Sequence, residues 1–147
     1  MLITIHSYLA YVTLATIVIA IVNSIVGLQK KNRFTKKDAR INLIALIFSH
    51  LQLLIGLVMF IANGYLESLL NTLNNQGMAH LMKTESLRKL LVEHPLSMII
   101  AITLITIGYS KHKKKLGKAK FKTIALFFSV ALIIMLASIQ WRDWLGM

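Results

Sequence analysis

The sequence has no cysteine and only five acidic residues in a chain of 147. Without cysteine there is no disulfide framework, no thiolate metal site and no covalent haem attachment through a Cys pair. No acid lies in the middle of an apolar run, and only Glu93 stands at the margin of one. Proton relays and transporters normally carry an intramembrane carboxylate, so the chain lacks their usual mark. Neither GxSxG nor HExxH occurs, which argues against a hydrolase or a zinc protease.

What is abundant is apolar. The hydrophobic share is 56%, above the roughly 45–50% of average soluble chains. Four runs account for the excess, at about 2–28, 41–63, 94–110 and 123–141. Each is long enough, or nearly so, to cross a hydrocarbon core of about 30 Å. The reading is an all-α, integral membrane four-helix up-down bundle forming a single domain over 1–147, with an amphipathic segment at about 64–93.

The formal charge is +12, from 17 Lys and Arg. Six of these (Lys30, Lys31, Arg33, Lys36, Lys37, Arg40) lie between the first two runs. Seven more (Lys111, Lys113, Lys114, Lys115, Lys118, Lys120, Lys122) lie between the last two. Two basic loops flanked by apolar runs are a topology signal rather than a nucleic-acid surface. They predict two cytoplasmic loops beside an anionic leaflet, both termini on the outer side, and the lipid bilayer as the first partner. Trp141 and Trp144 would form an interfacial belt at the outer end of the fourth helix.

Polar residues in the runs follow helical spacing. His6, Ala10, Thr13, Ile17, Ala20, Ser24 and Gly27 make one seam of mostly small residues, which lets membrane helices approach closely. Asn42, Ala45, Ser49, Gln52, Gly56 and Asn63 make another. His50 lies about 100° round from Ser49. In the third run, His94 and Met98 are four apart and share a face. Pro95, between them, suits a first helical turn or a kink. His80 and His112 fall in loops, where the expectation is that they are solvated.

Imidazole and thioether are neutral groups that haem iron accepts, so His50, His94, His6 and Met98 are the candidate ligands. A shared iron needs ligands at one depth. At about 1.5 Å per residue from the basic ends, His6, His50 and His94 stand roughly 33, 14 and 24 Å up. Boundary errors of about 3–6 Å leave both His50–His94 and His6–His94 open. The preferred axial pair is His50 with His94, and His6 is the substitute ligand or a quinone-site donor. Ser49, Gln52 and Asn42 are the expected polar neighbours of that pair. Phe127, Phe128 and Met135 are the expected walls.

Three stretches carry a resemblance: His6-Ser7-Tyr8-Leu9, Ser49-His50-Leu51-Gln52-Leu53-Leu54-Ile55-Gly56, and Glu93-His94-Pro95-Leu96-Ser97-Met98 with the apolar run that follows. With Lys120-Phe121-Lys122-Thr123, the chain resembles the small four-helix bacterial inner-membrane proteins labelled cytochrome B-like. Ala10-Tyr11 departs from the Arg-aromatic pair that follows the first motif in that family. The resemblance implies haem b, electron transfer and the bacterial inner (cytoplasmic) membrane. The reading that joins it to the histidines is one-electron transfer between a membrane quinone and an outer-side partner, with a larger respiratory or other membrane complex as the other candidate partner. An electron-transfer protein or redox subunit is then expected, rather than a stand-alone enzyme. Two other classes stay open: a cofactor-free helical subunit or assembly factor of a larger membrane complex, and a transition-metal-binding membrane protein.

Overall fold

The computed structural model describes residues 2–31 and 33–139. Its elements are α1 (Leu2–Gln29), α2 (Lys36–Ala62), α3 (Tyr65–Asn75), α4 (Gly77–Lys83), α5 (Glu85–Arg88), a π-helical turn (Lys89–Glu93), α6 (His94–Lys114) and α7 (Lys118–Ser138). No strand occurs among the described residues. Four helices are long and apolar enough to cross a membrane: α1, α2, α6 with the turn before it, and α7. The chain is an all-α, multi-pass membrane bundle. Its basic end carries Lys30 and Lys31 after α1 and residues 115–117 after α6, and its histidine end carries His6 and His94.

These spans are helical because their apolar residues run all round the cylinder, as expected of helices solvated by lipid. Ile19, Val22, Ile44, Leu54, Ile61, Leu126 and Ile133 are all exposed. In water such a surface would be an aggregation hazard; in a bilayer it meets its solvent. The buried residues are small, aliphatic or aromatic and lie along much of the expected seams, although Gln52 and Gly56 are only partly buried and Asn63 is exposed. Thr13, Ile17, Ala20, Ser24 and Gly27 of α1 and Asn42, Ala45 and Ser49 of α2 are buried. Ala101, Ile105 and Gly108 of α6 and Phe128, Ala131 and Met135 of α7 complete the interior. Around the bundle α1 packs on α2 and α7, and α6 packs on α7 and α2, so α1 and α6 face each other across a diagonal.

Helix ends differ from the expected ones for local reasons. The second helix begins at Lys36, not near 41. Asp38 accepts from the Thr35 amide at 2.8 Å and from the Thr35 hydroxyl at 3.0 Å, which fixes the entry turn. The third runs on to Lys114 instead of stopping near 110, and its last turn holds Lys111, His112, Lys113 and Lys114. Cations there meet the negative end of the helix dipole. The fourth starts at Lys118, and the expected tryptophan belt lies outside the described residues. His112 is a correction: it is buried, not solvated, with its Nδ1 on the Tyr109 carbonyl. His80 is exposed, though in α4 rather than a loop.

Gly108 shows how tightly α6 and α7 meet. Any Cβ added there would run into the Phe127 Cβ, which cannot swing away. Gly108→Ala should therefore cost about 1–3 kcal/mol by overpacking. Thermal unfolding in detergent should show a lowered midpoint, while Gly77→Ala, at a position with open space around it, tests backbone strain alone because Gly77 has φ +81°. An unchanged midpoint for Gly108→Ala would mean that α6 and α7 do not pack this closely.

Candidate functional site

Extending α6 by a turn raises His94 along its helix and brings it level with His6. The two rings face each other across the diagonal, with centroids 6.4 Å apart and planes at 84°. Both side chains are partly buried. His94 is the first residue of α6, where the backbone passes through the π-helical turn. Its amide donates to the Lys89 carbonyl, an i→i+5 bond. Pro95 offers no amide to the preceding carbonyls, and the ladder widens just ahead of it. Arg88 steadies this turn, donating to Glu93 at 2.9 Å and to the Met82 carbonyl at 2.9 Å.

The His94 ring is fixed by one bond. Its Nδ1 lies 3.1 Å from the Ser138 carbonyl at the end of α7. A carbonyl only accepts, so Nδ1 carries the proton and Nε2 keeps its lone pair. That is the tautomer of a metal-binding imidazole. Ser138 was not an expected site residue. A backbone carbonyl leaves no trace in sequence; only the position at a helix end, where carbonyls lack intrahelical donors, hints at it.

His6 is set by α2. A Cβ at Gly56 would lie 3.4 Å from the His6 Cε1 and 3.9 Å from its Nδ1, so the ring edge rests on the glycine. Gln52, one turn away on the same face, donates from Nε2 to the His6 carbonyl at 3.0 Å. The His6 Nδ1 and the Gln52 Oε1 are both buried with no partner. A ring nitrogen able to donate and an amide oxygen able only to accept thus stand on adjoining helices. Gln52 was expected beside His50; it serves His6 instead.

His50 is the main correction. It faces outward and is exposed. Its Nε2 is 2.9 Å from the Thr106 Oγ1, and that hydroxyl spends its one proton on the Ile102 carbonyl at 2.8 Å. The imidazole must then donate, so its Nε2 has no free lone pair. Thr106 is twelve residues beyond His94 on α6, about 18 Å along the axis. His50 and His94 cannot share an iron. Of the other expected polar neighbours, Ser49 bonds the Ala45 carbonyl at 2.7 Å, and Asn42 is buried with neither amide atom partnered. Met98 packs on the apolar core one turn below His94, as does Phe127; Phe128 and Met135 belong to that core.

The donor set suits an iron porphyrin better than a bare ion. Among the described residues no three potential ligands come together, whereas a closed ion site wants about four. Haem brings its own equatorial nitrogens and asks the protein only for axial ligands. His6 and His94 are the two imidazoles that could serve it, and their rings approach edge to face. Chemically the site offers two neutral nitrogen donors in a low-dielectric setting, and no general base–nucleophile pair.

No protein-family model, no curated protein and no solved structure matches this chain.

Proposed function

We propose that this chain is a membrane b-type cytochrome that holds one non-covalent haem between α1 and α6, with His6 and His94 as axial ligands. The observation that carries the reading is the facing of the two imidazoles at 6.4 Å, with one already oriented by the Ser138 carbonyl. Haem held by two imidazoles supplies reversible one-electron chemistry. The protein's own part is orientation and exclusion. Ser138 holds the His94 tautomer, Gly56 gives the His6 ring room, and Met98 and Met135 give the neighbourhood apolar bulk. The Gln52 Oε1 is an acceptor suited to the His6 Nδ1–H, which would leave the His6 Nε2 free to coordinate. The resemblance carried by the three histidine motifs points the same way. A lipid-soluble quinone is the fitting small partner, because the site lies in a bundle whose sides are open to the bilayer.

A second reading rests on the same ring pair. Centroids 6.4 Å apart at 84° also describe edge-to-face packing, which needs no cofactor. The chain would then be a helical subunit or assembly factor of a larger membrane complex. An absorbance spectrum of detergent-purified protein separates the two: a sharp Soret band with low-spin bands at about one haem per chain is expected, and a colourless protein after expression with ample haem removes the cytochrome reading.

Orientation follows from the charges. We place the basic end in the bacterial cytoplasm and both termini outside, in the inner membrane, because thirteen of 17 basic residues flank the two turns there. Single cysteines in place of Lys36 and Lys114 are expected to resist a membrane-impermeant thiol reagent in intact cells and to react once the membrane is opened. Labelling of either in intact cells reverses the orientation.

A further inference from the structure

At the basic end a second site is present, independent of the histidine pair. A cavity of about 380 Å³ opens between the last turns of α1 and the first turn of α2, lined by Asn23, Val26, Gly27, Arg33, Thr35, Lys37, Asp38 and Phe121. That volume falls within the roughly 300–1,000 Å³ of small-ligand sites. We propose that it binds a phosphate group, with the Arg33 guanidinium and the Lys37 ammonium as the recognising cations.

The acid in the cavity is already engaged. Asp38 accepts from the Asn23 amide at 2.9 Å with one oxygen and from Thr35 with the other. Lys37 lies within electrostatic reach of Asp38, which offsets part of its charge. Yet neither Arg33 nor Lys37 has a hydrogen bond or ion pair among the described residues. Three other cations at this end lie over aromatic rings: Lys111 over Phe127, Lys113 over Tyr109 and Lys120 over Phe34, at 5.1–5.5 Å. What sets Arg33 and Lys37 apart is their place: they are the two basic residues that line this cavity, beside the positive end of the α2 dipole. Arginine matches the forked oxygens of a phosphate, and lysine adds a point charge.

The cavity's other wall is apolar. Val26 is exposed on α1, and Phe121 is buried beneath Gly27. A hydrophilic phosphate would gain nothing from that wall. A phospholipid would, because its phosphate could sit on Arg33 and Lys37 while its glycerol and acyl chains run down the Val26 side of α1 toward the lipid-facing surface. The favoured source is therefore an anionic phospholipid headgroup, and a soluble phosphate compound is the other source of the same chemistry.

The test uses the full-length protein, stripped of lipid in neutral detergent. It is titrated separately with a phosphatidylglycerol, with a phosphatidylcholine of the same acyl chains, and with inorganic phosphate. The double variant Arg33→Gln/Lys37→Gln is compared with a charge-matched control, Lys114→Gln/Lys115→Gln, in the other basic turn. All four substituted side chains are exposed, and circular dichroism checks that each variant keeps its helix content. Saturable binding of phosphatidylglycerol is expected, with affinity lowered on the order of tenfold or more in the cavity variant and changed less than about threefold in the control. Saturation by inorganic phosphate with the same dependence on Arg33 and Lys37, and no gain from acyl chains, upholds the phosphate site and makes its ligand soluble. Equal losses in the cavity and control variants, or phosphatidylglycerol and phosphatidylcholine binding alike, would mean that only the diffuse charge of the basic end acts, and overturns the proposal.

Discussion

His94→Ala should abolish the low-spin haem spectrum. In the proposed cytochrome the substitution removes one axial nitrogen, and among the described residues nothing near it can replace the loss. Met98, one turn along α6, packs on the apolar core, and no third His, Asp, Glu or Cys joins the pair among the described residues. The iron would be left with His6 alone, giving a high-spin or empty protein. His94→Met is the companion variant. A thioether at the same place should keep a low-spin centre but raise its potential, because it favours ferrous iron. The bundle itself should survive His94→Ala. Among the described residues the hydrogen bond given up is the one to the Ser138 carbonyl, and membrane hydrogen bonds of this kind average on the order of 1 kcal/mol. Thermal unfolding and optical spectra of the same preparations check both halves. A low-spin spectrum unchanged in His94→Ala removes the site from this position altogether.

The bundle was legible because lipid imposes simple rules. Hydropathy marked four spans, and the α1 seam from His6 to Gly27 proved to be the buried face because small residues are what close packing selects. The histidine pairing was less legible, for two reasons. Depth was counted from the ends of the apolar runs, but helices continue through lysine: Lys111 to Lys114 and Lys36 to Arg40 are helical. The turn through Lys114 lifts His94 toward the level of His6. The second reason is angular. His50 is one residue from the buried Ser49, and one residue is about 100° on a helix, enough to turn it from the seam to the outside. The rule that an ionisable group deep in a span faces inward failed there because Thr106 offers an acceptor at the surface between α2 and α6. A polar side chain needs a partner, and an interior position is only the commonest way to find one. The Ser138 carbonyl was beyond reach of the sequence, since which backbone oxygen a ring meets depends on how α7 ends against α6.

The geometry also sets the outcomes for the other two membrane histidines apart. His6→Ala should lose low-spin haem, and His50→Ala should keep it at full stoichiometry. His6 is the ring facing His94; His50 is about 18 Å away along α6, with its Nε2 committed to Thr106. For His50→Ala the expected cost is one interhelical hydrogen bond, on the order of 1 kcal/mol. Thr106→Val should cost a similar amount, and the double variant little more than either single one, because both remove the same bond. Gly56 provides a further discriminator on the His6 side. A methyl group there would stand 3.4 Å from the ring, an ordinary contact, so Gly56→Ala should leave the spectrum nearly intact. Gly56→Leu should push the ring off its axis and weaken haem retention without touching His50. A haem titration of His6→Ala, His50→Ala, Gly56→Ala and Gly56→Leu, read at the Soret band, decides the matter. If His50→Ala loses haem while His6→Ala retains it, the iron lies at the level of Thr106 and the helices do not pair as they do here.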